Sequence, residues 1–156
     1  MQFRAEQRFR VRHPGPSGSA LAFLRDPSRS LRDVRFIRDL RFEGGVVRAH
    51  LTVDVPMLGE QRLPFESRLE ETARGARLVA LPLSESAWAE VSGEGNLEAG
   101  ELDYALDVTV HFPLPEPQKW GAAAFQKMVD ATARRALARV TAEFPRGVAA
   151  SIARET

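Results

Sequence analysis

The sequence predicts an α+β fold in which one curved antiparallel sheet of about seven strands wraps around a long C-terminal helix, with two short helices between the first and second strands. Three observations carry this. Apolar and polar residues alternate with period two in successive runs from Phe3 to Phe112, tight turn residues separate those runs, and a single apolar stripe of helical spacing follows them.

From Phe3 to Val11 the odd positions are Phe3, Ala5, Gln7, Phe9 and Val11, while Arg4, Glu6, Arg8, Arg10 and Arg12 occupy the even ones. This is a strand with one wet face. His13-Pro14-Gly15-Pro16 ends it, and Ser17 or Ser19 caps a helix through Ala20, Leu21, Phe23 and Leu24. Asp26-Pro27 stops that helix, because a residue before proline avoids the helical region, and Ser30 to Asp33 forms a further turn. Val34 to Glu43 then places Val34, Phe36, Leu40 and Phe42 on one face, and Gly44-Gly45 turns the chain into the strand Val46 to Val55. Beyond Pro56-Met57-Leu58-Gly59, the residues Gln61, Leu63, Phe65, Ser67 and Leu69 share an inward face. A shorter strand runs from Arg77 to Leu83, another from Ala87 to Leu97, and after Ala99-Gly100 the clearest one carries Leu102, Tyr104, Leu106, Val108, Val110 and Phe112. Pro113-Leu114-Pro115-Glu116-Pro117 cannot extend a strand. A long helix is then expected from about Trp120 to Phe144, with Phe125, Met128, Val129, Ala133, Ala136, Leu137 and Val140 on its stripe and Pro145 and Gly147 ending it.

With 156 residues, 44% hydrophobic and 28% charged, the chain is expected to form one globular domain over residues 1–156. It has no Cys, which excludes disulfides and thiolate chemistry. No apolar run approaches the ~18 residues of a membrane span and the first residues do not resemble a signal peptide, so a cytoplasmic protein is expected. The net charge of +1 is unevenly spread: residues 1–50 hold eleven Arg against five acids, a balance of +6, and the remainder holds eleven basic against sixteen acidic residues, a balance of −5. Pairing of Arg-rich early strands with acidic later ones explains this most simply. Near-zero net charge and dispersed Arg argue against nucleic acid as a partner. Asp103, Asp107 and His111 are spaced by four along a strand, about 13 Å, too far for one metal shell. No phosphate-loop, nucleophile-elbow or zinc-protease motif occurs, and neither a cofactor, a metal nor a catalytic residue is expected.

The order of elements, with Leu21-Ala22-Phe23-Leu24-Arg25-Asp26-Pro27 between the first two strands, resembles the helix-grip fold of the START-like (SRPBCC, Bet v 1-like, polyketide cyclase) superfamily over nearly the whole chain. Ser92-Gly93-Glu94-Gly95 and Met128-Val129-Asp130 are similar to its carbon monoxide dehydrogenase-associated branch, although Arg35-Phe36-Ile37 stands where that branch often carries Pro-Gly. The resemblance implies the first strand beside the last, hence Arg4, Arg8 or Arg10 near Asp103 or Asp107. It also implies a cavity between sheet and helix for a hydrophobic small molecule or lipid.

Such a ligand would meet Phe65, Ser67, Tyr104, Phe125, Met128 and Val129, which the inward phases of the strands and the start of the helical stripe bring to the expected cavity of roughly 300 Å³ or more. Two other readings stay open. One is a cyclase- or dehydratase-type enzyme with Tyr104 as general acid. The other is a protein or peripheral membrane interaction module acting through a basic strand surface of Arg35, Arg38, Arg41 and Arg48, a reading that a filled interior would favour. The small face of Ala87, Ala89, Gly93 and Gly95 is expected to seat the long helix at Ala133 and Ala136. The sequence leaves the oligomeric state open.

Overall fold

The alternating runs become seven strands: β1 (Gln2–Arg12), β2 (Ile37–Glu43), β3 (Val46–Val55), β4 (Gly59–Thr72), β5 (Gly75–Leu81), β6 (Trp88–Glu98) and β7 (Glu101–His111). The computed structural model describes residues 2–113 and 121–155, so the expected helix start at Trp120 and most of the proline-rich loop, Leu114 to Pro117, lie outside the described residues. All seven strands join one antiparallel sheet in the order β1-β7-β6-β5-β4-β3-β2. The chain therefore has the helix-grip fold expected from its element order. β1 lies beside β7, where Arg4 Nε donates to Asp107 Oδ1 at 3.0 Å and Arg10 lies 3.7 Å from Asp103. The excess of Arg in β1 is in part balanced inside the sheet.

In β2 a one-residue bulge replaces the even alternation from Val34. Ile37 pairs with Leu51 and Phe42 with Val47, and the register shifts between Arg38 and Arg41, where Asp39 adopts φ 55°. Two residues there oppose Ala49, so odd Ile37 and even Phe42 face the same core side. Aspartate tolerates this left-handed backbone better than most side chains do.

The helical part also departs from expectation. One helix to Phe144 is replaced by two, α3 (Ala122–Thr141) and α4 (Phe144–Arg154). The reason is Pro145: its ring excludes the carbonyl of the residue four positions earlier, which is Thr141, the last residue of α3. Gly147 does not end a helix. It lets α4 approach the chain before β2 so closely that a Cβ would lie 2.8 Å from Val34 Cα. The two short helices are α1 (Ser17–Leu24) and α2 (Pro27–Ser30), the latter capped by Asp26, whose carboxylate accepts from Ser28 N at 3.0 Å.

Around Asp33, α4 is fastened by several bonds. Asp33 N donates to Ser151 Oγ at 3.0 Å, the Arg154 guanidinium donates to both Asp33 carboxylate oxygens at 2.9 and 2.7 Å, and Arg29 donates to both oxygens of Glu155 at 2.7 Å. Replacing Gly147 with Ala should therefore cost about 1–3 kcal/mol in urea unfolding, because the obstacle is backbone and cannot swing aside. Hydrogen bonds from Arg154 and Arg29 hold Asp33 and Glu155 below their ordinary values of 3.8 and 4.5. A depressed folded pKa stabilises above the unfolded value and ceases to do so as pH falls through the folded one. Amide exchange in α4 should accordingly rise below about pH 4 more steeply than in β7, and Asp33→Asn should remove much of that extra acid sensitivity.

Candidate functional site

The concave face of the sheet is filled mainly by aliphatic and aromatic side chains, with Phe3, Phe23, Phe65, Leu51, Leu63, Leu102 and Leu137 among the least exposed. At the turn from α3 to α4, Phe144 enters this core. Its ring lies 5.3 Å from Phe9, 5.8 Å from Tyr104 and 6.3 Å from Phe36, all near perpendicular, while Phe9 and Tyr104 stack at 5.0 Å. Edge-to-face and offset contacts of this kind fix ring orientation as well as burying area.

Beside this cluster is a cavity of about 50 Å³ whose walls include Leu24, Leu31, Leu69, Leu78, Tyr104 and Phe144. It is apolar apart from a few groups. Gly95 makes room for one wall, since a Cβ there would lie 2.6 Å from a methyl of Leu24 and 3.3 Å from the Tyr104 ring. Thus the small face of β6 seats α1 at Gly95, rather than the Ala133 and Ala136 stretch of α3. Arg25 ties this segment down, its guanidinium donating to the carbonyls of Gly75 at 3.0 Å and Thr72 at 2.7 Å.

Tyr104 brings a phenol hydroxyl to the cavity wall. It is 8% exposed, and its hydroxyl has no hydrogen-bond partner among the described residues. Burial raises its pKa well above the ordinary 10.0, so the phenol keeps its proton. A neutral, unpartnered donor on an apolar wall suits an acceptor such as a carbonyl or ether oxygen, or a water. Arg77 and Glu94, also on the rim, are cross-strand partners on the outward phase of β5 and β6.

Of the other five residues expected around a ligand, none lines this cavity. Phe65 is 1% exposed and opposite Ala49 in the core. Ser67 is engaged: its hydroxyl donates to the carbonyl of Val91 at 2.5 Å. The β5–β6 ladder ends at Leu78 and Gly93, and past that point Ser67 supplies a partner to a β6 carbonyl that β5 no longer faces. Val129 is buried, yet Phe125 and Met128 are 42% and 47% exposed. Phe125 lies one helical repeat before Val129, on the same face, so its exposure means that the described residues do not extend beneath the first turn of α3. The residues missed by the alternation, Leu24 and Leu31, flank Asp26-Pro27, and that break is the sequence signal that could have found them.

Two hydroxyl deletions should separate these roles. Ser67→Ala leaves a buried carbonyl unpaired and should cost about 1–3 kcal/mol in chemical unfolding. Tyr104→Phe removes an unpartnered donor and should leave stability unchanged or raise it by up to about 1 kcal/mol. A loss on Tyr104→Phe as large as that on Ser67→Ala would show that the Tyr104 hydroxyl has a stabilising partner in solution.

Among solved structures, the chain is similar to TTHA0849 from Thermus thermophilus, with 16% identity, TM-score 0.58 and 100% of this chain covering 99% of that one. It is also similar to the Zhui aromatase/cyclase from Streptomyces sp. R1128, with 15% identity, TM-score 0.59 and coverage of 97% and 94%. A conserved protein from Geobacillus kaustophilus aligns over 99% of this chain and 96% of its own at 12% identity and TM-score 0.54. At such identities these likenesses bear on the fold alone. No curated protein matches. Residues 8–142, from within β1 to the end of α3, match one sequence family, and the chain belongs to that family, described as Protein of unknown function (DUF3809).

Proposed function

We propose that the chain binds an apolar small molecule carrying a hydrogen-bond acceptor, without chemical change, between the α1–α2 segment and the inner face of β5, β6 and β7. The observation that carries this is the buried Tyr104 hydroxyl, without a partner among the described residues, on the wall of a mainly apolar cavity. At about 50 Å³ the cavity holds water or part of a ligand, where ligand sites usually measure about 300 Å³ or more. Admission of a ligand thus requires α1–α2 to move outward. That segment is short and is held by the core contacts of Phe23 and Leu24, by the two Arg25 bonds to the β4–β5 hairpin and by the Arg29–Glu155 pair, so its movement would have to loosen these while the sheet keeps its form.

A cyclase-type reaction, suggested by the activity named for one structural neighbour, gains less support. Tyr104 with a raised pKa donates a hydrogen bond well and a proton poorly, and general acids work best with a pKa near the operating pH.

Two neutral fluorescent probes test the proposal: diphenylhexatriene, a hydrocarbon, and prodan, which carries a ketone. Both should bind the parent protein. Leu78→Trp should abolish both by filling the cavity, Tyr104→Phe should weaken prodan alone by about 2- to 10-fold, and Met128→Trp, outside the cavity, should change neither. Absence of binding to the parent, or unchanged binding to Leu78→Trp, would refute the reading.

A further inference from the structure

The connection between α2 and β2 and the facing side of α4 border a second, open concavity, which Tyr104 does not line. Its larger part, about 470 Å³, is lined by Arg32, Asp33, Arg35 and Arg38, and an adjoining part of about 90 Å³ adds Arg146 and Glu143. Asp33 and Arg35 line both, so the two form one groove. The four arginines are exposed, and among the described residues their guanidinium groups form no ion pair.

The chemistry of the groove is strongly one-sided. Asp33 is engaged by both donors of Arg154, which does not line the groove, so four guanidinium groups line it against two carboxylates, one of them already paired. Arg32 is already felt by neighbours, being a lesser cause, after Arg154 and Arg29 respectively, of the lowered pKa of Asp33 and Glu155. Arg38 Nε donates to the Arg35 carbonyl at 3.1 Å, which orients it from β2 toward the connection. The walls are fixed relative to each other, because Gly147 rests on Val34 and Ser151 on Asp33. A guanidinium group binds phosphate oxygens as a planar fork, and here such groups line a cleft from both of its fixed walls. The arginines line an open cleft between two elements, not one continuous face, which suits a small anion better than a bilayer. Of the basic strand surface anticipated from sequence, Arg35 and Arg38 belong to this groove, whereas Arg48 is paired with Glu66 at 3.0 Å.

We propose that this groove binds a soluble anion of the di- or triphosphate class, with Arg32, Arg35, Arg38 and Arg146 as its ligands. Calorimetric titration with tripolyphosphate at about 150 mM salt, where surface charges are screened beyond about 8 Å, is the direct test. Saturable one-to-one binding is expected. The double variant Arg35→Gln/Arg146→Gln should weaken it by about tenfold or more, the value for loss of charge-assisted hydrogen bonds, and Arg12→Gln on β1 should leave it unchanged. Arg35→Lys should also weaken it, since an ammonium keeps the charge but not the fork. Tripolyphosphate should raise the melting temperature of the parent and not that of the double variant, whose own melting temperature should match the parent's because both side chains are exposed. Absence of saturable binding, equal weakening by Arg12→Gln, or attachment to phosphatidylglycerol vesicles that tripolyphosphate does not displace would overturn the proposal.

Discussion

The insertion of Phe144 is the constraint on which the rest of the structure depends. It is the first residue of α4, only 4% exposed, and its ring meets Phe9 of β1, Tyr104 of β7 and Phe36 ahead of β2. β1 and β2 are the two edges of the sheet, so one side chain ties the chain next to both edges to the turn between the helices. Pro145 puts it there by ending α3 at Thr141. A continuous helix would carry Phe144 onward along the α3 axis. The helical break and the aromatic cluster are two aspects of one local event, and loss of a buried Phe commonly costs about 3–5 kcal/mol.

Small residues let the cluster and α1 press close to the inner face of the sheet. Gly95 accepts Leu24 and the Tyr104 ring on a strand that would otherwise present a Cβ to both. Where β5 parts from β6, Ser67 reaches across from β4 and satisfies Val91. This leaves Tyr104 as a buried hydroxyl without a described partner, and such a group ordinarily has a reason. An apolar cavity alone would say little, because most interiors contain small voids.

Most of the fold was legible in the sequence, because period-two alternation states which face of each strand is buried. All seven strands were legible from it, while the place of β1 beside β7, and with it the Arg4–Asp107 contact, came from the resemblance of the element order to the helix-grip fold. What alternation cannot express is a change of phase or the end of a surface. The bulge at Asp39 reverses parity within β2, and only Ile37 and Phe42 facing one side reveals it. Phe125 has the phase of a buried residue and is exposed, since periodicity describes a helix and not how far its partner extends. The candidate site was read partly for the same reason: Tyr104 lay on an inward strand face, while Leu24 and Leu31 came from short helices with too few residues to show a period.

The two concavities share a piece of chain. Leu31 lines the apolar cavity and Arg32, its neighbour, lines the basic groove, so neither can be displaced far without the other. Beyond them, Asp33 is held to α4 by Ser151 and Arg154, which places the stiff point of the segment at its C-terminal end. On the α1 side the restraints include the two Arg25 bonds to the carbonyls of Thr72 and Gly75 and the core contacts of Phe23 and Leu24. Outward movement for an apolar ligand would therefore pivot near Asp33 and turn Arg32 relative to Arg35 and Arg146. An anion gripping all three would favour the closed arrangement, and by reciprocity a ligand at Tyr104 would weaken that grip by the same factor. The short helices between the first two strands thus serve as one element on which both kinds of ligand would act, with opposite preferences.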